Sequence, residues 1–117
     1  MKRNHQFEDL HAWQKSKKLT ILIYNSFNSK IEPNYRNQVR RAAISVMNNI
    51  AEGYERNTPN QYHYFLSVAK GSCGEVRSML SLAEGLHYSD QSTILEIKNL
   101  SLEISNILFG MMEKIKD

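Results

Sequence analysis

The chain contains little of what most catalytic or disulfide-stapled proteins are built from. Of its 117 residues one is cysteine, two are proline and five are glycine. Cys73 alone permits no internal disulfide, and its place among apolar helical residues reads as a small core group rather than a redox centre. No Cys/His set has zinc spacing. No apolar run approaches the roughly 18 residues needed to cross a bilayer. The N-terminus, Met-Lys-Arg-Asn-His-Gln-Phe-Glu-Asp, is basic but lacks the apolar segment of a secretory signal, so a cytoplasmic protein is expected. There is no phosphate-binding glycine loop: Gly71-Ser-Cys-Gly74 lacks both the preceding strand and the lysine. No stretch reads as a strand. Charge of one sign is unevenly placed within a net +3: residues 1–56 hold ten Lys or Arg against five Asp or Glu, and residues 57–117 hold five against seven.

What the chain does have is helical periodicity, and its length fits one domain, 1–117, around one core. Four helices are expected, at about 9–29, 35–55, 59–87 and 91–115. Leu10, Trp13, Thr20, Ile23 and Phe27 line the first, with Asp9 placed to accept hydrogen bonds at its start. Asn28-Ser-Lys-Ile-Glu-Pro-Asn34 breaks it. Val39, Ala42, Val46 and Ile50 form the apolar face of the second. The third has the clearest start, Thr58-Pro59-Asn60-Gln61, a capping box with proline at the first helical position. Tyr62, Leu66, Ala69, Cys73, Val76, Leu80, Ala83 and His87 then alternate steps of four and three, the seam of a bundle or coiled coil. Asp90 can cap the fourth helix, which carries Ile97, Leu100, Ile104, Ile107 or Leu108, Met111 and Ile115. Short connections between amphipathic helices imply an all-α, up-down-up-down four-helix bundle.

The second helix carries a further stripe: Arg41, Ser45, Asn48 or Asn49, Glu52 and Arg56. Two ordered faces on one helix imply packing on two sides. Antiparallel pairing with the third helix about a turn near Asn57 sets Arg41 level with Glu75, and Ser45 level with Gly71. An Arg41–Glu75 ion pair beside a close helix contact at Gly71 is expected, a structural tie before a ligand site. Gly71 and Gly74 lower helix propensity by roughly 1 kcal/mol each, as though another backbone came close there.

Several of these residues also form a pattern. Phe7-x-x-Leu10-x-x-Trp13-Gln14-Lys15 and Tyr24 are followed by Gln38-x-Arg40-Arg41-Ala42-x-x-Ser45. Asn49-Ile50-Ala51-Glu52-Gly53-Tyr54-x-Arg56 and Phe65-Leu66-x-x-Ala69-x-Gly71-Ser72-x-x-Glu75 complete it. In these motifs the chain resembles the four-helix-bundle proteins encoded in intervening sequences of bacterial 23S ribosomal-RNA genes. About three quarters of the chain is covered; the last helix matches only in apolar character. Met47 stands where proline is frequent in that family, Ser16 where alanine is usual, and Cys73-Gly74 replace a more hydrophobic pair. The resemblance implies a left-handed bundle assembled as a ring-shaped homopentamer. It also implies kinship with the accessory protein of reverse transcriptases in diversity-generating retroelements, whose ring is thought to offer basic surface to nucleic acid and polymerase. The second stripe would suit a subunit interface, and such a head-to-tail contact closes only at the right angle.

Among enzymes, a di-iron carboxylate bundle is the sharpest alternative, because Glu8-x-x-His11 and Glu84-x-x-His87 accompany Glu52 and Glu103. The two pairs start helix one and end helix three, which run parallel in such a bundle, so about 30 Å separates them. His63 opposite Glu52 reads as a tethered surface histidine rather than a general base. Tyr24 and Tyr62 read as core-edge residues, and Tyr54, Tyr64 and Tyr88 as partly exposed or interfacial; no stacking platform is evident. The expected protein is therefore non-catalytic, without metal, cofactor or small-molecule substrate, and without a membrane partner. Its candidate nucleic-acid contacts are Lys2, Arg3, Lys15, Lys17, Lys18, Arg36 and Arg40, and no base-reading motif accompanies them, so binding to RNA or single-stranded DNA would be sequence-tolerant and salt-sensitive. Arg41, Ser45, Asn49, Glu52, Arg56, Gly71 and Glu75 are the candidate structural or interface residues. The alternative is a scaffold that docks an acidic protein, such as a reverse transcriptase, on the same basic surface.

Overall fold

A computed structural model describes residues 6–116. A short 3-10 turn, η1 (Phe7–Asp9), precedes α1 (His11–Ser26), α2 (Pro33–Glu55), α3 (Pro59–Gly85) and α4 (Gln91–Lys116). The four helices form a rod of 47 × 21 × 20 Å. α1 packs on α2 and α4, and α3 packs on the same two; among the described residues no Cα atoms of α1 and α3, or of α2 and α4, come within 8 Å of each other. This is the arrangement of a four-helix bundle, and no strand occurs among the described residues.

The helix boundaries follow from local chemistry. The first helix is shorter than the expected 9–29. Leu10 is extended (φ −74°, ψ 131°) and separates η1 from α1, while Phe27 leaves helical geometry (φ −116°, ψ 74°) before the asparagine and serine that follow. Asp9 consequently does not cap α1; its carboxylate accepts from the Gln6 N–H at 2.9 Å within η1. α2 begins earlier than expected, at Pro33, because Glu32 acts as its N-cap. The two Glu32 carboxylate oxygens accept from the N–H groups of Asn34 (3.0 Å) and Tyr35 (2.9 Å), and proline at the first position loses no needed donor. Thr58 and Asp90 cap α3 and α4 as expected, through the N–H groups of Gln61 (3.2 Å) and Thr93 (3.2 Å). The hydrogen bonds from Thr93 hold the Asp90 carboxyl below its ordinary range. α3 ends two residues early. Leu86 is its C-cap and His87 takes a left-handed conformation (φ 58°). His87 N–H donates to the Glu84 carbonyl and Tyr88 N–H to the Ala83 carbonyl, the double bond pattern of a Schellman end. His87 is thus exposed at a turn rather than part of the seam.

The core holds the periodic residues. Val39, Val46 and Ile50 of α2, Leu66, Ala69, Cys73, Val76, Leu80 and Ala83 of α3, and Ile97, Ile104 and Leu108 of α4 are all fully buried. α1 contributes Leu19 and Ile23, and its C-cap Phe27 joins them. Burying one such aliphatic side chain is worth about 1.5–3 kcal/mol, so this seam holds the rods together. Polar groups inside it are satisfied locally. Ser16 Oγ donates to the Ala12 carbonyl (2.6 Å) and Thr20 Oγ1 lies 2.8 Å from that of Ser16. Buried Tyr35 donates across the bundle to the Met79 carbonyl (2.6 Å). Burial, with Tyr88 alongside, pushes its phenol far above the ordinary range.

Candidate nucleic-acid interface

α1, the link after it and most of α2 form a basic layer. Between His11 and Ala51 stand Lys15, Lys17, Lys18, Lys30, Arg36, Arg40 and Arg41, with Glu32 the single acid. These cations are not equivalent. Lys15 Nζ pairs with Glu103 across α1 and α4 at 2.9 Å. Lys17 Nζ lies 5.9 Å from the centre of the Trp13 ring. Lys18 is exposed. Lys2 and Arg3 lie outside the described residues.

The two α2 arginines one turn apart do not simply face solvent. Arg40 Nη2 donates to the carbonyls of Phe27 (3.1 Å) and Tyr24 (3.4 Å), and its guanidinium lies 4.1 Å from the Tyr24 ring centre. Arg36 Nη1 donates to the carbonyls of Ile31 (3.3 Å) and Asn28 (3.4 Å). Both therefore satisfy carbonyls at and just beyond the end of α1, where the helix dipole favours positive charge. Sequence spacing placed them on one face but could not show that α1 stops beneath them.

Arg41 is different. It is exposed and stands between two shallow grooves. One, of about 370 Å³, is lined by Tyr24, Asn37, Arg40, Arg41 and Ile44. The other, of about 520 Å³, is lined by Asn34, Asn37, Gln38, Arg41, Ala42, Ser45 and Glu75. Arg41 and Glu75 thus share a groove, as their level predicts, yet the expected ion pair does not form. Gln38 opens one of the motifs quoted above, whereas Asn37 and Ile44 carry no motif and Asn34 enters only as the end of the break before α2.

The second stripe of α2 is divided: Ser45 and Asn49 are half-buried, whereas Arg41, Glu52 and Arg56 are exposed. Ser45 Oγ lies 2.8 Å from Ser72 Oγ, one residue beyond the expected Gly71. Asn49 Nδ2 donates to the Ser45 carbonyl and hydroxyl at 2.8 and 3.0 Å. Glu52 meets Arg56 at 2.7 Å within the helix, and the Arg56 guanidinium lies 5.0 Å from the Phe65 ring centre. Within the chain Ser45 and Arg56 thus meet α3, while Asn49 and Glu52 bond to residues one turn away on their own side. Gly71 and Gly74 have no backbone against them; a Cβ on Gly71 would meet nothing within 4 Å. The close approach is at Gly53, where a Cβ would lie 2.9 Å from Phe65 Cβ and 3.2 Å from Tyr62 Cδ1. Tyr54, expected to be partly exposed, is buried, whereas Tyr64 is 60% exposed and Tyr24 39%.

Buried Cys73 has its thiol pushed up to about 11, chiefly by burial. Its carbonyl accepts from Ser101 Oγ at 3.2 Å. Among the described residues no three His, Cys, Asp or Glu side chains gather as a metal site would require, and no helix is long and apolar enough to cross a membrane.

Comparison with known proteins places this geometry. The structure resembles the crystal structure of a protein of unknown function from the S23 ribosomal protein family of Bacteroides thetaiotaomicron VPI-5482. The TM-score is 0.82 at 23% identity, covering 86% of this chain and 97% of the other. At that identity the likeness speaks for the fold. No curated protein matches the sequence. The family model for the 23S rRNA-intervening sequence protein matches residues 8–110, and with that span the chain belongs to the 23S rRNA-intervening sequence protein family.

Proposed function

We propose that the protein is a non-catalytic accessory factor that binds RNA or single-stranded DNA on its α1–α2 layer and works as a homo-oligomer. The observation that carries the first part is the seven-to-one excess of basic over acidic side chains between His11 and Ala51. Such a layer attracts phosphates without reading sequence, and several copies in one assembly multiply weak contacts. Its test is titration of labelled RNA and single-stranded DNA at two salt concentrations. Affinity should fall steeply with salt; binding absent at low salt, or indifferent to salt, overturns the proposal.

Support for self-association comes from α4 rather than from the second stripe of α2. Leu95, Leu102 and Phe109 recur every seventh residue, which returns to nearly the same helix face, and they are 57%, 43% and 55% exposed. An apolar line of this kind suits contact with another protein surface. We read it as the contact between copies, closing the ring of five that the family resemblance implies. Sedimentation should show an oligomer that Leu102→Glu disperses; a wild-type protein that sediments as a monomer at high concentration removes this part. The same line favours a second reading, in which α4 docks a protein such as a polymerase and the basic layer binds no nucleic acid. In that case the titration fails while a monomeric chain remains able to bind such a partner.

A further inference from the structure

The two grooves beside Arg41 differ from the rest of the basic layer in holding an aromatic ring, amides and a charge without a carboxylate on it. Tyr24, 39% exposed as a residue, has its ring fixed by the Arg40 guanidinium at 4.1 Å. Arg40 is itself held by the Phe27 and Tyr24 carbonyls, so the ring rests on a rigid support. Ile44 adds an apolar wall to that groove. Across Arg41 the second groove offers Asn34, Asn37 and Gln38. Gln38 Nε2 donates to Asn34 Oδ1 at 3.1 Å, which leaves its other N–H and its own carbonyl unengaged by that bond. Asn37 and Arg41 line both grooves, which makes the two continuous.

We propose that this track is a single-strand site for two successive nucleotides, with one base against Tyr24 and Ile44, the connecting phosphate on Arg41, and the second base beside Asn34, Asn37 and Gln38. It rests on the nucleic-acid reading above and names the place and the strand form. An aromatic face takes a base only when that base is unstacked, which a duplex does not offer. A guanidinium free of carboxylate contacts can present two parallel N–H groups to one phosphate. Glu75, at the far side of the second groove, repels a further phosphate and limits the site to one phosphate step; its carboxylate can accept only from an amino group of a base. Arg40 is a positioning residue here, because its Nη2 is engaged by the Tyr24 and Phe27 carbonyls and its Nε is buried away from the groove surface.

The test is fluorescence titration of labelled oligouridylate, oligothymidylate and a DNA duplex against the wild-type protein and four variants, with thermal melts to confirm folding. Arg41→Ala should weaken single-strand binding about tenfold and reduce the salt slope by about one, and Arg41→Lys should restore the slope. Tyr24→Leu should weaken single-strand binding about 5- to 100-fold without altering the salt slope, leave duplex binding unchanged, and be rescued by Tyr24→Phe. The two single-strand probes separate RNA from DNA, since preference for oligouridylate would require contact with the 2′-hydroxyl. Wild-type binding that persists unchanged in Arg41→Ala and Tyr24→Leu overturns the site and leaves the basic-layer reading standing. Absence of wild-type binding to all three probes overturns both.

Discussion

The two hairpins of the bundle end their first helices by different means. α1 stops at Ser26, and carbonyls at its end and in the link after it accept from side chains that reach over from α2: those of Tyr24 and Phe27 from Arg40, and those of Asn28 and Ile31 from Arg36. α3 stops at Gly85, and its last carbonyls are satisfied by the backbone of the turn that follows, through His87 and Tyr88. The first closure therefore draws on the same positive charges that make the basic layer, whereas the second needs no charge at all. Stability and surface chemistry are tied together in one hairpin and separate in the other. A substitution that removes basic charge from α2 must be judged on whether it also opens the α1 end.

The largest expected effect breaks the first closure. Arg40→Ala removes donors from two carbonyls and the guanidinium from the Tyr24 ring, and hydrogen bonds from a charged donor are worth about 1.5–3 kcal/mol. A loss of about 2–3 kcal/mol is expected in urea unfolding, mostly retained in Arg40→Lys, whose single ammonium cannot span both carbonyls. Arg41→Ala, next in sequence but without a hydrogen bond or ion pair among the described residues, should change stability by less than about 0.5 kcal/mol. Equal costs at the two positions would show that the α1 end does not depend on Arg40.

The next effect concerns the link between the hairpins, α2 against α3. Gly53→Ala would set a methyl 2.9 Å from Phe65 Cβ and 3.2 Å from Tyr62 Cδ1. Phe65 Cβ is fixed to its own backbone, so the helices must separate slightly, an overpacking cost of about 1–3 kcal/mol that exceeds the helix-propensity gain of about 1 kcal/mol. The net loss is therefore about 1 kcal/mol or a little more. Gly71→Ala, with nothing within 4 Å of its Cβ, should instead gain about that propensity. If Gly53→Ala also stabilises in thermal melts, the close approach at Gly53 is not a constraint.

Why the sequence pointed to Gly71 rather than Gly53 is physical. Antiparallel pairing about Asn57 gives the level of a residue but not its rotation about the helix axis. Ser45 was placed within one residue of its true partner, Ser72, by that level alone. Gly71 lies one residue, about 100°, further round α3, and so faces away. The same limit applies to Arg41 and Glu75, which share a groove without pairing. The seam on α3 was legible because Leu66, Ala69, Cys73, Val76, Leu80 and Ala83 all need one face, and caps such as Thr58 and Asp90 because their partners are three residues away. The engagement of Arg36 and Arg40 was not legible, since it depends on where α1 ends, and that end is marked only by the weak asparagine-serine signal after Phe27. In the candidate site, Asn34 and Asn37 stand about two turns and one turn before Arg41 on α2, so helical spacing alone sets them on its face, whereas Tyr24 becomes a neighbour of Arg41 only after α1 and α2 pack.

The smallest effect sharpens the second closure. His87 occupies a left-handed conformation at φ 58° that costs a residue with a Cβ about 1–2 kcal/mol and costs glycine little. Its side chain is exposed, so His87→Gly loses no core contact, although glycine gives the unfolded chain more freedom. The balance is a stabilisation of up to about 1 kcal/mol, read as a rise of a few degrees in Tm, which for a chain of this size is about 4 °C per kcal/mol. Glycine at Arg40, by contrast, would lose the donors that close α1. If the second closure is a matter of backbone alone, the gain at His87 should persist at high salt, while the cost of Arg40→Ala should shrink only in part, because the bond to the Phe27 carbonyl is partly buried and poorly screened whereas that to Tyr24 is exposed. A His87→Gly variant that melts below wild type would mean that the imidazole, and not the φ angle, supports the turn.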